Sequence, residues 1–253
     1  INYREWYYAI ATDKTGKVYT CGAEEKPDIF FQQGAGAFIK EIKDMFTGTK
    51  SVGLFYGGEA DVNAVKYPIV YNINPITSIA IDSTQTNLYC SQFTSPFKPD
   101  SVDPVYVPYP YGVIWKVPLT DPSFNPVLVY PSFVASNNFT QPKTVAVKNN
   151  GVVYSFTGDA FAGHTLFGMN PEGVIKYVGF VNKPEMSDPS SLIFDNQNRM
   201  LYCNSTYPPV TGAINSPLVR LTFVNDYTTT AEYINLTGFS LADLDGMDQI
   251  ALN

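Results

Sequence analysis

Three cysteines and one histidine are the side chains of this sequence best suited to bind a soft metal or act as a nucleophile. The cysteines are Cys21, Cys90 and Cys203, with no CxxC spacing, and His164 is close to none of them. An odd number of cysteines without paired spacing argues against a disulfide framework. We therefore expect three structural thiols. For His164 we expect a loop or packing role, with ligand binding as the alternative.

The segment DLDGMD at 243–248 resembles a calcium loop, and Asp245 and Asp248 are its candidate ligands. It lacks the spacing of an EF-hand, and no bidentate glutamate follows. A solvated acidic turn is therefore the expected structure. No cofactor is predicted, and calcium is the alternative.

Motifs for catalysis are missing, since the sequence contains no GxSxG, Walker or HExxH signature. No catalytic residue is predicted, and the balance of these observations is against an enzyme. The net charge of −7, without a basic run, argues against nucleic acid or an anionic membrane as a partner. No apolar stretch approaches the roughly 20 residues of a membrane span.

Composition favours an all-β chain of 253 residues, because 15% of the residues are aromatic and no long segment has helical periodicity. Four segments repeat one pattern, in which an apolar strand, a polar turn and a second strand with a tyrosine follow one another. They are AIATDKTGKVYT at 9–20, SIAIDSTQTNLYC at 78–90, TVAVKNNGVVYS at 144–155 and SLIFDNQNRMLYC at 191–203.

Two further strands are expected after three of these segments, in 113–130, 165–180 and 218–236. Four strands per unit is the pattern of a β-propeller blade, so the chain is predicted to be a single propeller domain over 1–253. The segment GAFIKEIKDMF, at 36–46, could be a short amphipathic helix or an irregular strand.

Alignment on the repeated tyrosine places a small residue directly after it in every unit. These residues are Thr20, Cys90, Ser155 and Cys203. The two cysteines are thus predicted to be interchangeable with serine or threonine. Cys21 is one position out of phase and should point to the opposite face of its strand.

The units SIAIDSTQTNLYC and SLIFDNQNRMLYC resemble the inner strands of the NHL, SMP-30/gluconolactonase and strictosidine-synthase-like propellers. This resemblance is at the level of the fold and implies five or six blades of four antiparallel strands. In gluconolactonase-like members, Glu, Asn and Asp residues just before the first strands hold a divalent metal. The matching positions here are Tyr8, Thr77, Lys143, Ser190 and Asp248. Only Asp248 is a strong ligand for a hard cation.

Connection lengths distinguish the two ends of the predicted blades. Short turns join first to second strands, whereas long segments, including 91–111 and 204–217, join second to third strands. Long loops on a rigid scaffold commonly hold binding residues, and the prolines of 91–112 lower the entropy lost on binding. The expected ligand-binding residues are Phe93, Phe97, Tyr106, Tyr109, Tyr111, Phe161, His164 and Tyr207. The alternative is that these aromatic residues pack on one another.

Secretion is expected, with N-glycosylation sequons at Asn138, Asn204 and Asn235, although three matches are no more than chance predicts. The final strand-like segment, QIALN at 249–253, repeats the first-strand pattern. We expect it to pair in cis with residues 2–6 or 68–73. The alternative is pairing in trans with a neighbouring subunit or a cleaved downstream segment, so self-association through it is possible.

Two functions are consistent with the sequence. The first is a non-catalytic extracellular propeller that binds a glycan or protein partner, or assembles into a larger structure, through an aromatic, loop-rich face. The second is a metal-dependent hydrolase or lactonase of the gluconolactonase-like type with a rearranged metal site.

Overall fold

The computed structural model describes residues 4–25, 36–43, 51–57, 76–92, 113–119, 127–130, 142–157, 165–184, 186, 189–204, 218–234 and 236. Within these residues every regular element is a β-strand. The all-β prediction is therefore confirmed. The chain divides into two compact units, Ile1–Pro142 and Lys143–Asn253. The single domain over 1–253 stays a prediction.

Unit 1 contains two four-stranded antiparallel sheets whose strands lie in chain order. Sheet 1 is formed by β1 (Arg4–Thr12), β2 (Val18–Glu25), β3 (Gly36–Lys43) and β4 (Ser51–Gly57). Sheet 2 is formed by β5 (Ile76–Ile81), β6 (Asn87–Gln92), β7 (Val113–Pro118) and β8 (Val127–Tyr130). The ambiguous segment GAFIKEIKDMF thus begins with the strand β3, and the helical alternative is wrong.

Unit 2 contains sheets 3 and 4. Sheet 3 is formed by β9 (Ala146–Val147), β10 (Val153–Phe156), β11 (Leu166–Met169) and β12 (Ile175–Tyr177). Sheet 4 is formed by β13 (Gly179–Phe180), β14 (Pro189–Phe194), β15 (Met200–Asn204), β16 (Leu218–Asn225) and β17 (Thr228–Tyr233). Its strands are antiparallel except β13, which pairs parallel with the outer side of β17.

The four predicted strand–turn–strand repeats are confirmed as β1–β2, β5–β6, β9–β10 and β14–β15. In each turn the first residue's backbone carbonyl accepts a hydrogen bond from a residue with positive φ. Glycine adopts positive φ without the Cβ clash that other residues meet. The residue with positive φ is a glycine in sheets 1 and 3, namely Gly16 and Gly151. In sheet 2 it is Gln85, and in sheet 4 it is Asn198.

Aspartate at the first turn position explains why three of these turns form, whereas the turn of sheet 3 begins with Lys148. The Asp195 carboxylate accepts hydrogen bonds from the backbone N–H groups of Gln197 at 2.9 Å and Arg199 at 2.8 Å. It also accepts one from the Arg199 guanidinium at 2.7 Å. Burial alone would raise the pKa of Asp195, but these hydrogen bonds outweigh it and lower the pKa. Asp13 and Asp82 hold their turns in the same way.

Turn length differs between the two cysteine-containing repeats. In sheet 2 the turn is closed by a backbone hydrogen bond from Asp82 to the carbonyl of Asn87, and in sheet 4 by one from Asp195 to the carbonyl of Arg199. The sheet 2 turn therefore contains one residue more. Side chains alternate between the two faces of a strand. Residues of β6 and β15 that match in the ungapped alignment therefore point to opposite faces of their sheets.

The predicted equivalence of Cys90 and Cys203 is consequently wrong. Cys90 pairs with Ile79, whereas the matching place opposite Leu192 is occupied by Tyr202. Cys203 lies one residue further along and points to the other face of its sheet. A position expected to need a small residue thus holds a fully buried tyrosine in sheet 4.

The core of unit 1 lies between sheets 1 and 2. Tyr19 and Cys21 of β2 pack there with Leu88 and Cys90 of β6 and with Trp115 of β7. In sheet 1, Thr20 is the residue that aligns with Cys90, and Cys21 is predicted to point to the opposite face of the strand. The structure confirms this, because Thr20 pairs with Ile10 and Cys21 is the next residue along β2, paired with Ala9. Sheets 1 and 2 pack face to face, so one face of sheet 1 meets the opposite face of sheet 2. Both cysteines therefore lie in the same core.

Aromatic rings dominate the core of unit 2. Tyr154 of β10 lies 5.0 Å from the ring of Phe223, and Phe156 lies 4.9 Å from Tyr202 in an edge-to-face contact. Gly168 of β11 is required beside Tyr154, because a Cβ atom there would lie 2.9 Å from that ring. The core therefore depends on a glycine as well as on the repeated tyrosine.

Asn198→Gly should raise the free energy of unfolding by about 0.5–1 kcal/mol, because it relieves the left-handed conformation of Asn198 at φ 58°. It also removes the Asn198 Oδ1 atom, which is buried without a hydrogen-bond partner in the described part of the chain. Chemical denaturation measures the change. Gly16→Ala is the matched control, because its Cβ would meet open space at φ 84° and only backbone strain of about 1 kcal/mol is added. A lower stability for Asn198→Gly would contradict this account.

Candidate functional site

The two ends of the sheets differ in how they are closed. At one end, here called the turn end, the short turns at 13–17, 82–87, 148–152 and 195–199 join first to second strands. At the other end, called the open end, second strands finish at Gln92, Phe156 and Asn204. The long connections begin there. The open end is therefore the candidate site, described in each unit by itself.

The predicted ligand-binding residues belong to these connections. Phe93 follows β6 directly, and Tyr111 precedes β7 by two residues, so the proline-rich connection leaves and re-enters sheet 2 at its open end. All eight predicted residues lie outside the described residues, namely Phe93, Phe97, Tyr106, Tyr109, Tyr111, Phe161, His164 and Tyr207. Their role in binding stays a prediction.

Hydroxyl groups line the described strand ends beneath these connections. In sheet 2, Thr77 Oγ1 lies 3.3 Å from Ser91 Oγ. In sheet 3, Thr144 Oγ1 accepts a hydrogen bond from the Phe156 backbone N–H at 3.0 Å. Buried hydroxyls are costly unless they are paired, so these contacts let polar groups lie at the ends of buried strands.

The open end of sheet 4 pairs a hydroxyl with a thiol. Ser190 Oγ lies 3.2 Å from Cys203 Sγ, and the Cys203 side chain is fully buried. Cys203 is therefore a packing residue with a polar neighbour.

The positions matched to metal ligands of gluconolactonase-like propellers do not fit a divalent cation. Tyr8, Thr77, Lys143 and Ser190 supply a phenol, two hydroxyls and an ammonium group, and no carboxylate. Among the described residues there is no group of three His, Cys, Asp or Glu that could hold a metal ion. The fifth position, Asp248, and its neighbour Asp245 lie outside the described residues.

All three cysteines are buried thiols, as the sequence predicts. Burial raises the pKa of Cys21 well above its usual value and raises that of Cys90 to about 12. The thiolate is the nucleophilic form, so these two thiols are unreactive at neutral pH.

One glycosylation sequon falls on described structure. Asn204 ends β15 at the open end, and its side chain is 5% exposed. Asn138 and Asn235 lie outside the described residues, and glycosylation at all three asparagines stays a prediction.

A polar cluster at the turn end of unit 2 was missed by the sequence reading. Lys148 Nζ lies 2.7 Å from Asp226 Oδ1, and Asn150 Nδ2 lies 3.0 Å from both oxygens of that carboxylate. Tyr154 donates its hydroxyl hydrogen to the Asp226 carbonyl at 2.8 Å. The hydrogen bond from Lys148 is the main reason that the pKa of Asp226 is lowered. The cluster joins sheets 3 and 4, and the 78-residue separation of its charges hid it from local patterns.

No family model matches the sequence, and no curated protein does. The structural match with a protein of unknown function from Dyadobacter fermentans covers 94% of this chain and 70% of that protein's chain, with 12% identity and a TM-score of 0.50. The major Malassezia sympodialis allergen Mala s 1 matches 92% of this chain and 65% of its own, with 6% identity and a TM-score of 0.52. The periplasmic gluconolactonase PpgL of Pseudomonas aeruginosa matches 91% of this chain and 58% of its own, with 11% identity and a TM-score of 0.48.

These likenesses concern the fold alone, because the identities are so low. They agree with an all-β fold of several small antiparallel sheets. The chain spans less than two thirds of the length of Mala s 1 and of PpgL. In the described part of the chain, no helix is long and apolar enough to cross a membrane.

Cys203→Ser should cost about 1 kcal/mol or less, because the new hydroxyl has Ser190 Oγ as a neighbour at the open end. Cys90→Ser should cost more, about 1–3 kcal/mol, because it places a hydroxyl in the apolar core among Leu88, Trp115 and Val117. Urea denaturation of the two variants tests this order. Equal costs, or a greater cost for Cys203→Ser, would show that Ser190 does not compensate the hydroxyl.

Proposed function

We propose that this chain is a non-catalytic, extracellular β-propeller of five or six blades that binds a glycan or protein partner through the connections at its open end. The observation on which this proposal rests is the difference between the two ends of the sheets. At the turn end, the turns from first to second strands are short, whereas the connections that contain the predicted binding residues follow β6, β10 and β15 and start from the open end.

The turn end offers few groups for a ligand, because its polar groups already serve the fold. The carboxylates of Asp13, Asp82 and Asp195 accept backbone hydrogen bonds within their own turns. Asp226 is held by Lys148 and Asn150. Binding there would require these pairings to break, at a cost that a weak ligand does not repay.

The open end suits a partner with both apolar and hydroxyl surfaces. Tyrosine and phenylalanine rings stack on the C–H faces of sugars, and the tyrosine hydroxyl can bond to sugar or backbone groups. Prolines in 91–112 restrict the free connection and so reduce the entropy lost when a partner binds. In sheet 2, Thr77 and Ser91 pair their hydroxyls at the strand ends next to which this connection starts.

A gluconolactonase-like hydrolase is the less favoured function, because it needs at least three oxygen ligands that converge on one cation. The described positions that match the family's ligands supply hydroxyls and a lysine instead. The donor set therefore supports binding of a partner over metal-assisted hydrolysis.

Replacing Tyr106, Tyr109 and Tyr111 together by alanine should abolish binding while leaving the melting temperature nearly unchanged. Binding can be measured on a printed array of neutral and acidic oligosaccharides and by pull-down of secreted proteins. The control is Val174→Ala with Val224→Ala, which changes exposed side chains near the turn end. A large fall in melting temperature with intact binding would show instead that these tyrosines pack on the protein.

Calcium at about 2 mM should leave the melting temperature within about 1 °C of its value in EDTA, because a cation that binds no folded-state site adds no stability. Differential scanning fluorimetry measures this. A rise of several degrees that is lost with Asp245→Asn and Asp248→Asn would support the hydrolase instead.

A further inference from the structure

The outer edge of sheet 4 is covered by a short stretch of chain. Residues 178–182, here called the edge strap, follow β12 and run parallel to β17. The backbone N–H of Gly179 donates to the carbonyl of Tyr227 at 2.9 Å, and that of Val181 donates to the carbonyl of Thr229 at 2.8 Å. The edge strap thus bonds to the carbonyl directly before β17 and to one outward-facing carbonyl within β17.

The edge strap ends at Asn182, which bonds to β17 through its side chain and not through its backbone. Its Oδ1 accepts the backbone N–H of Ala231 at 2.8 Å, and its Nδ2 donates to the carbonyl of the same residue. A carboxamide has the donor and acceptor of a peptide group, so it can imitate the pairing of a neighbouring strand. The outward-facing groups of β17 are therefore bonded as far as Ala231.

Packing anchors the edge strap on its inner side. Val178 is buried in the core of unit 2, and Phe180 packs against that core. Val181, by contrast, is 69% exposed. The two apolar contacts hold the backbone in place, and the Asn182 amide is thereby presented to Ala231 with little remaining freedom.

An uncovered edge strand invites pairing with another chain, because its N–H and C=O groups lack partners. A second copy of the same edge is always present at the protein's own concentration. Two such edges can pair about a twofold axis, which gives a closed dimer. We propose that Asn182 caps the edge of β17 and so prevents strand pairing between two copies of this chain.

Asn182→Leu tests the proposal, because leucine has nearly the size of asparagine but cannot form hydrogen bonds. Exchange of the Ala231 amide hydrogen should become roughly tenfold faster, as expected for the loss of one hydrogen bond. Sedimentation velocity between about 1 and 100 µM should show more self-association than in the wild type. Asn196→Leu, in the exposed turn of the same sheet, adds the same apolar side chain and should change neither result.

Wild-type exchange at Ala231 together with wild-type sedimentation would overturn the proposal. Equal self-association of Asn196→Leu would also overturn it, because added surface hydrophobicity would then be the cause. Should Asn182→Leu fail to fold, Asn182→Ala decides the question. It removes both the donor and the acceptor without adding charge, so self-association above the wild-type level supports the edge cap, and its absence refutes it.

Discussion

Burial of both faces of the second strands is the constraint on which the rest of this structure depends. In β10, for example, Tyr154 and Phe156 face sheet 4 while Val153 and Ser155 face the other way, and all four are buried. Such a strand has no solvent face that could tolerate a shift by one residue. Its register must therefore be fixed locally, and the short turn at 148–152, in which Gly151 has positive φ, provides this.

The sequence was sufficient to predict the strand–turn–strand repeats, because an apolar strand, a polar turn and a second strand form a local signal. It was insufficient for the register of sheet 4, since an ungapped match of LYC to LYC hides a turn shorter by one residue. The strand β3 was ambiguous because its apolar residues suit either period. The edge strap and the Lys148–Asp226 pair depend on contacts distant in sequence, which no local pattern reveals.

The location of the candidate site and its binding residues both stay predictions. Connection length placed it at the end of the sheets where β6, β10 and β15 finish, and the structure has these strands finishing there. What the sequence did not reveal was how the strand ends are closed. The pairs Thr77–Ser91 and Ser190–Cys203 join residues 14 and 13 positions apart, and they become visible only when the register is known.

The polar groups of the described residues are largely engaged in holding the sheets together. At the turn end, aspartate carboxylates are bound to backbone N–H groups, and at the open end hydroxyls are bound to each other or to the backbone. On the outer edge of sheet 4, the Asn182 amide is bound to Ala231. Polar groups engaged in this way are costly to divert toward a ligand. For this reason we propose, rather than any described group, the connections at the open end as the part of the chain that recognises a partner.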